Sequence, residues 1–264
     1  VLTLCFFLLC TTAVLGATVA NVGSLSITEQ DITFRMATER AYGNRNMSRS
    51  SALVSLVSEA LEQNIAIEKN VTASEAELSA FGTQAEASSL APQILTKVKS
   101  VFSSDTQSYT RLYLSPKVTK KKLKQLFDSS STIHDSERLT AETVLSQIEG
   151  GKTFSAAAVD FGAAHDVFTV APGAPQQLID VLSTLSDGQI HQNAFEDEMS
   201  FRVLRLVQKV GHTYNAEAVT IAKKSFAAWL QTEASSFGIA ILDDELSAEI
   251  LSKYSTVWWT SLIE

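Results

Sequence analysis

The sequence predicts an α+β protein that is mainly helical, and three observations lead to this fold class. Apolar residues recur at three- and four-residue steps through most of the chain, as on helices with one buried face. Two short segments, Gln189–His191 and Phe201–Val210, instead have extended character around a turn. Helices followed by a small sheet are the order of elements that defines an α+β fold.

Composition limits the class of protein further. The 264 residues are 45% hydrophobic, which is enough for a buried core and too much for a disordered chain. They allow one large domain or two ordinary ones. The chain has 29 acidic and 21 basic residues and a formal net charge of −8. This acidic balance argues against nucleic acid as a partner.

Residues 1–20 have the composition of a targeting segment. The apolar run Leu2–Leu15 has the length of a signal-peptide core, and small residues follow it. We therefore predict a signal peptide that is cleaved after Ala17 or Ala20. The first alternative is an uncleaved membrane anchor, since about 20 apolar residues can span a bilayer. The second is a buried core helix.

No cofactor or metal site is predicted. Cys5 and Cys10 both lie in the leader, so the rest of the chain has no disulfide, thiol nucleophile or cysteine-ligated zinc. The histidines share no ligand spacing with one another or with a carboxylate; they are His134, His165, His191 and His212. Nucleophile-elbow, P-loop and dinucleotide-binding motifs are also missing from the sequence.

The first half of the exported chain begins with an extended segment and then becomes helical. A turn is predicted at Gly23-Ser24, and Thr28 with Asp31 has the pattern of a helix N-cap. Further helices are predicted over about 48–69, after a capping box at 72–75, over 90–102, and from Val118 in a basic stretch.

A polar link at 128–132 predicts a domain boundary. Beyond it we expect helices over 135–149, 154–161 and 175–185, with a strand at Phe168–Val170. After Gly211 the pattern predicts a return to helix, with Ala218, Ile221 and Phe226 on one face. A short extended piece at 237–241 and an amphipathic segment at 245–259 complete the chain.

Five segments, in this order, resemble the SurA/PrsA/PpiD group of exported chaperones and foldases. They are Val22–Ile32, Leu53–Glu77, Ala141–Ala158, Leu182–Ile190 and Phe226–Leu230. The third and fourth resemble the first helices and the "L-x-x-G-x-h" turn of a parvulin domain. The resemblance implies a helical chaperone domain, residues 21–132 and 213–264, that folds back on itself around a parvulin-like domain, residues 133–212.

Departures from the parvulin pattern predict that catalysis has been lost. Active members carry a His in the first strand, a Gly-Gly-x-Leu-Gly loop and a second His in a "G-[YF]-H-[IV]" strand. The first strand is expected near Thr110–Leu114, which has no His, and no such loop follows Phe161. Arg202 stands where the second His is expected. Prolyl isomerisation has a barrier of about 20 kcal/mol, and catalysis requires polar groups that stabilise the twisted amide. Without the two histidines, the polar half of such a site is missing from this sequence.

The predicted function is that of an extracytoplasmic or periplasmic foldase-like chaperone that binds unfolded or nascent exported proteins. Aromatic and thioether side chains are the candidate client-binding residues, namely Phe34, Met36, Phe81, Phe102 and Tyr113. Core packing is the alternative role for each of them. The alternative functions are an active peptidyl-prolyl isomerase and an assembly factor for one fixed partner.

One dense basic cluster has two interpretations. Five lysines fall within eight residues, at Lys117, Lys120, Lys121, Lys122 and Lys124. The first interpretation is a solvated helix face. The second is contact with an acidic lipid surface or an acidic client.

Overall fold

The computed structural model describes residues 16–88, 92–103 and 105–263. The chain divides into two compact units. We call the first the helical unit; it extends to Asp128 and resumes at Ala227. The second, Ser129–Phe226, is the inserted unit. The fold is α+β and mainly helical with small antiparallel sheets, which confirms the predicted class at this level.

The helical unit begins with a hairpin of β1 (Thr18–Val22) and β2 (Leu25–Thr28). Gly23 occupies the turn with φ of +54°, a conformation that favours glycine. Helix α1 (Glu29–Ala41) follows at once, and its capping box is the predicted one. The Thr28 hydroxyl accepts a hydrogen bond from the Asp31 backbone, and the Asp31 carboxylate accepts one from the Thr28 backbone.

Three helices follow in the helical unit. Helix α2 (Arg49–Glu68) is N-capped by Ser48, as its apolar periodicity predicts. Helix α3 (Glu75–Ser88) is capped by Ser74 and Glu77, two residues beyond the predicted Thr72–Glu75 box. Helix α4 is Pro92–Phe102.

The segment Thr110–Leu114, predicted as a strand, is helical, so that prediction is wrong. Helix α5 (Thr106–Tyr109) continues into this π-helical turn and then into α6 (Ser115–Ser129). Tyr109 and Tyr113 lie four residues apart and stack with ring centroids 5.3 Å apart, a contact that helical spacing allows. A segment of five residues, of which three are apolar or aromatic, cannot by itself distinguish a helical turn from a strand.

The inserted unit contains three helices and four strands. The helices are α7 (Asp135–Glu149), α8 (Phe154–Asp160) and α9 (Gln176–Ser183), with β3 (Ala164–Val170) between the last two. Then come β4 (Phe195–Glu196), β5 (Ser200–Val210) and β6 (Thr213–Ala222). The antiparallel sheet has the order β3-β6-β5-β4.

Strand β6 corrects the prediction that the chain returns to helix directly after Gly211; the segment that completes the helical unit begins at Ala227 and not at residue 213. Its side chains alternate between two apolar clusters. Tyr214, Ala216 and Ala218 pack on the side of α9, while Val219 and Ile221 pack on the side of α7 and α8. Both faces of this central strand are therefore buried. Its sequence does not alternate between apolar and polar residues, which is the pattern that identifies a strand with one exposed face.

The chain returns to the helical unit through α10 (Phe226–Ala234), β7 (Ile239–Ile241) and α11 (Asp244–Lys253). Strand β7 pairs with β1, so both ends of the chain share one three-stranded sheet. Arg49 on α2 forms an ion pair of 2.8 Å with Asp243. The indole of the fully buried Trp259 donates to the Ser58 hydroxyl at 2.7 Å.

The leader prediction concerns residues that lie mostly outside the described part of the chain. Its last three residues, Thr18 to Ala20, form the start of β1, and Val19 and Ala20 are buried there. No helix among the described residues is long and apolar enough to cross a membrane.

Candidate functional site

Four of the five candidate client-binding residues lie together in one aromatic cluster of the helical unit. Phe34 comes from α1, Phe81 from α3, Phe102 from α4 and Tyr113 from the π-helical turn. Met36, on α1, is half-buried and is not a member of this cluster among the described residues. Residues that are distant in sequence are thus brought together by the helical packing.

Ring stacking holds the interior of this cluster. Phe34 stacks on Phe102 with centroids 5.0 Å apart, and Tyr109 meets Phe102 edge-on at 5.5 Å. Phe102 and Tyr113 are only 3% and 7% exposed, so both are packing residues. Phe34 and Phe81 are half-buried, and part of each ring reaches the surface.

A surface groove lies between α3 and α6, beside this cluster. We call it the α3–α6 groove, and its volume is about 280 Å³. Apolar side chains of Ala80, Phe81 and Val118 line it together with the polar side chains of Lys121 and Gln125. A groove with apolar and polar lining residues can bind a ligand that has both apolar and polar groups, such as a polypeptide segment.

The basic cluster on α6 is largely used within the helical unit. Lys122 forms an ion pair of 2.8 Å with Glu77 and lowers the pKa of that carboxyl to about 2, helped by hydrogen bonds from Ser74. Lys124 pairs with Asp128, and Lys117 lies 3.9 Å above the Tyr113 ring. These contacts favour the interpretation of a solvated helix face over that of a free anion-binding surface.

A second group of charges surrounds a smaller cavity of the helical unit, of about 110 Å³. Asp31, almost fully buried, pairs with Arg111 of the π-helical turn at 2.5 Å. Arg35 pairs with Glu59 and also donates to the Leu112 carbonyl at 3.3 Å. Asp31, Glu59 and Arg111 line the cavity with Leu56 and Ile27, among others.

Burial raises the pKa of the Glu59 carboxyl to about 7, although the Arg35 guanidinium opposes the rise. Burial also raises the pKa of Glu62, one helical turn away, against the effect of Lys120. The packing of the helical unit therefore contains a carboxyl, that of Glu59, whose pKa lies near neutral pH. Sequence reasoning missed this group; the available signal was two glutamates inside the apolar stripe of α2.

Arg202, predicted from the resemblance to occupy a degenerate parvulin position, lies on β5 and is held by its neighbours. Its guanidinium pairs with Asp197 at 2.9 Å and donates from Nε to the Ser200 hydroxyl at 3.1 Å. Burial alone would raise the pKa of Asp197, but hydrogen bonds from Met199 and Ser200, with the charge of Arg202, lower it. The contacts of Arg202 with Asp197 and Ser200 therefore fix the turn that leads into β5.

His165 lies on the other face of the same sheet. Direct cross-strand partners share a face, and the register aligns Ala164, Thr220 and Arg202. His165, one residue further along β3, therefore points to the opposite side. There its Nε2 lies 2.8 Å from a carboxylate oxygen of the buried Glu217, which also pairs with Arg205.

The described residues contain no group of three or more His, Cys, Asp or Glu side chains arranged to hold a metal ion. No protein-family model matches the chain, and no curated protein matches it. Function must therefore be argued from the chain's own geometry and from the resemblance of its segments.

Proposed function

We propose that the protein is an exported, foldase-like chaperone that binds extended client chains in its helical unit and whose inserted unit has no isomerase activity. The observation that carries the proposal is the discontinuous helical unit. Strand β7 returns to pair with β1 after the inserted unit, and α11 is tied to α2 through Arg49 and Asp243. A helical unit interrupted by an insert supports the proposal because the SurA/PrsA/PpiD resemblance implies one.

The proposed client site is the α3–α6 groove together with the exposed parts of Phe34 and Phe81. Client chains would place apolar side chains against Ala80 and Phe81, with polar neighbours at Lys121 and Gln125. Phe102 and Tyr113 do not contact the client; they pack in the interior of the aromatic cluster and position its half-buried members. Such a surface has few directional contacts, so it binds weakly and without strict choice of sequence.

The loss of isomerase activity is supported by the arrangement of polar groups on the sheet. Twisting a prolyl bond requires groups that favour the transition state at one place. In the inserted unit Arg202 is engaged by Asp197 and Ser200 on one face, while His165 is paired with Glu217 on the other. Arg202 and His165 therefore do not face a common pocket.

The experiment is an aggregation assay with several unrelated unfolded proteins, run beside an isomerase assay on a proline peptide. The protein is expected to delay aggregation of all of them and to leave the isomerisation rate unchanged. Phe81→Glu should weaken the delay, whereas Phe161→Glu, a half-buried phenylalanine in the inserted unit, should not. Far-UV circular dichroism of both variants checks that they remain folded.

Two outcomes would replace the proposal by its alternatives. Isomerase turnover that disappears with Arg202→Ala or Ser200→Ala would identify an active peptidyl-prolyl isomerase. Protection of one client and no other would identify an assembly factor with a fixed partner.

The proposed export makes the position of cleavage testable. A cut after Ala17 leaves β1 complete, whereas a cut after Ala20 removes the buried Val19 and Ala20 from the central strand of a sheet. N-terminal sequencing of the exported form is expected to begin at Thr18. A start at Asn21 would contradict this part of the proposal.

A further inference from the structure

The residues that line the α3–α6 groove lie on one face of each helix. Four lie on α3 between positions 77 and 84, and four lie on α6 between positions 118 and 125, both sets with the spacing i, i+3, i+4 and i+7. A helix rises about 10 Å over seven residues, and an extended chain covers that length with about three residues. The groove therefore has the length of a short extended segment.

The apolar and the amide side chains of the groove can each contact such a segment. Val118 is only 5% exposed, whereas the half-buried Phe81 and the exposed Ala80 present apolar surface. The amide of Gln125 is exposed and has no hydrogen-bond partner among the described residues. An amide can both donate to and accept from the backbone of a bound chain.

The groove is lined by three charged side chains, and two of them neutralise each other. Both carboxylate oxygens of Glu77 accept hydrogen bonds of 2.8 Å from the Lys122 ammonium on the facing helix. This contact, with hydrogen bonds from Ser74, lowers the pKa of Glu77 to about 2, so the carboxylate stays ionised and paired. The pair therefore adds no net charge to the groove.

The third charge, that of Lys121, is uncompensated. Lys121 is exposed and has no hydrogen-bond or ion-pair partner in the part of the chain that the structure describes. The four other lysines of the basic cluster are engaged by side chains of the helical unit. Lys120, for example, lies 3.6 Å from the Glu62 carboxylate. Of the basic cluster, Lys121 alone is thus available to a ligand in the groove.

This single cation acts on its surroundings despite the acidic chain. The net charge of −8 belongs to all 264 residues. At physiological ionic strength the Debye length is about 8 Å, so exposed charges that lie further away are largely screened. A carboxylate that contacts Lys121 directly is screened much less. The local charge of the groove therefore decides which segments it favours.

We infer that the α3–α6 groove selects client segments in which an apolar side chain and the carboxylate of an aspartate or glutamate lie two positions apart. Alternate side chains of an extended segment point to the same side. The apolar side chain packs on Phe81 and Ala80 while the carboxylate pairs with Lys121, and Gln125 bonds the client backbone. The inference rests on the proposed function, because it names the class of client segment that the same groove prefers.

The test compares three peptides that differ in one residue. Their centres are Phe-Gly-Glu, Phe-Gly-Gln and Phe-Gly-Lys, their flanks are identical, and both ends are blocked so that a chain-end carboxylate is excluded. Binding to the full chain is measured by fluorescence anisotropy with an uncharged dye. The Glu peptide should bind about two- to fivefold more tightly than the Gln peptide, as for an exposed ion pair, and the Lys peptide most weakly. Added salt should reduce these differences.

Charge reversal at Lys121 gives the sharper result. Lys121→Glu should invert the order, so that the Lys peptide binds most tightly, and a chain that merely fails to fold cannot acquire this preference. Lys124→Glu makes the same change of charge on the same helix, at a half-exposed lysine that does not line the groove. This control should keep the order of the unaltered chain.

The outcomes separate this inference from the proposed function. Equal affinity for the three peptides, or an order that Lys121→Glu leaves unchanged, overturns the inference while the delay of client aggregation stands. Binding of none of the peptides at millimolar concentration overturns it as well. If the aggregation delay is then retained, clients bind elsewhere on the chain; if the delay is lost too, the proposed function fails with the inference.

Discussion

The two units of this protein are stabilised in different ways. Among the residues that the structure describes, the helical unit buries seven polar or charged side chains, namely Asp31, Thr38, Ser50, Glu62, Asn64, Thr119 and Thr260, whereas the inserted unit buries only Ser200 and Glu217. In the inserted unit apolar clusters fill both faces of one sheet.

The difference has a physical consequence. Buried charges require partners, and each pair makes the packing depend on protonation and on a chain segment far away in sequence. Asp31 relies on Arg111, and Glu59 relies on Arg35. Apolar packing on a sheet has no such requirement. We therefore expect the helical unit to respond to pH and the inserted unit to respond mainly to lost volume.

The two units can be followed separately. All three tryptophans, Trp229, Trp258 and Trp259, belong to the helical unit, so tryptophan fluorescence reports its unfolding alone. Far-UV circular dichroism reports both units. Urea titrations read by both probes are the basis of the predictions that follow.

The largest loss of stability is expected where the C-terminal segment packs against α2 of the helical unit. Trp259→Ala removes a fully buried ring and its hydrogen bond to Ser58, and should lower the free energy of unfolding by about 3–5 kcal/mol in the fluorescence transition. Trp258→Ala, at the half-buried neighbour, should cost clearly less. Equal losses in the two variants would mean that the C-terminal segment does not close the unit in this way.

A similar but slightly smaller loss is expected in the inserted unit. Leu204→Ala empties a fully buried position on β5 and should cost roughly 3 kcal/mol, seen by circular dichroism and not by fluorescence. The loss should be the same at pH 5 and pH 8. Val207→Ala, at a 43% exposed position on the same strand, is the control and should change stability little. A strongly pH-dependent loss in Leu204→Ala would break the contrast between the units.

Glu59 should make the helical unit less stable as pH rises. The folded chain holds the Glu59 proton up to about pH 7, while an unfolded glutamate releases it near 4.5. The folded state thus binds more protons between these values, and stability falls through this window by roughly 3 kcal/mol from this group. Glu59→Gln should remove that fall in the fluorescence transition between pH 5 and pH 8.

The exposed Glu75→Gln is the matched control for this titration, and it should keep the pH dependence of the unaltered chain. An unchanged pH profile in Glu59→Gln would show that the Arg35 pair holds Glu59 ionised. The cavity charges would then stabilise the unit across the whole range.

The smallest effect is expected at the first turn. Gly23 has φ of +54°, and a Cβ there would lie 3.0 Å from the Asn64 side chain. Gly23→Ala should therefore cost about 1–3 kcal/mol. Gly82→Ala on α3, where the new Cβ meets only an ordinary contact, should instead stabilise by up to about 1 kcal/mol. The same sign in both variants would contradict this account of the turn.

Local signals predicted many elements correctly. The turn at Gly23, the cap formed by Thr28 with Asp31, and the helix that starts after Ser48 depend on hydrogen bonds between residues a few positions apart. The polar link after residue 127 also falls at the division between the two units. Both partners of such a short-range interaction lie a few positions apart in the sequence, so the residue pattern alone can predict the interaction.

One error concerned a segment too short to show a helical period, and the other concerned a strand that is buried on both faces. Thr110–Leu114 is a π-helical turn inside the aromatic cluster, and Thr213–Ala222 is a central strand with both faces covered. The candidate client residues were selected by type alone. Only packing separates the interior Phe102 and Tyr113 from the half-exposed Phe34 and Phe81.

The sequence by itself determined the α+β class, the acidic body without cysteines after residue 10, and the starts of several helices. Tertiary structure alone decided that Glu59 lies beside Arg35, that Arg202 is held by Asp197, and that β3 is an edge strand. The physical reason is distance along the chain. Caps and turns involve neighbours, whereas burial, ion pairing and sheet edges depend on residues that only folding brings together.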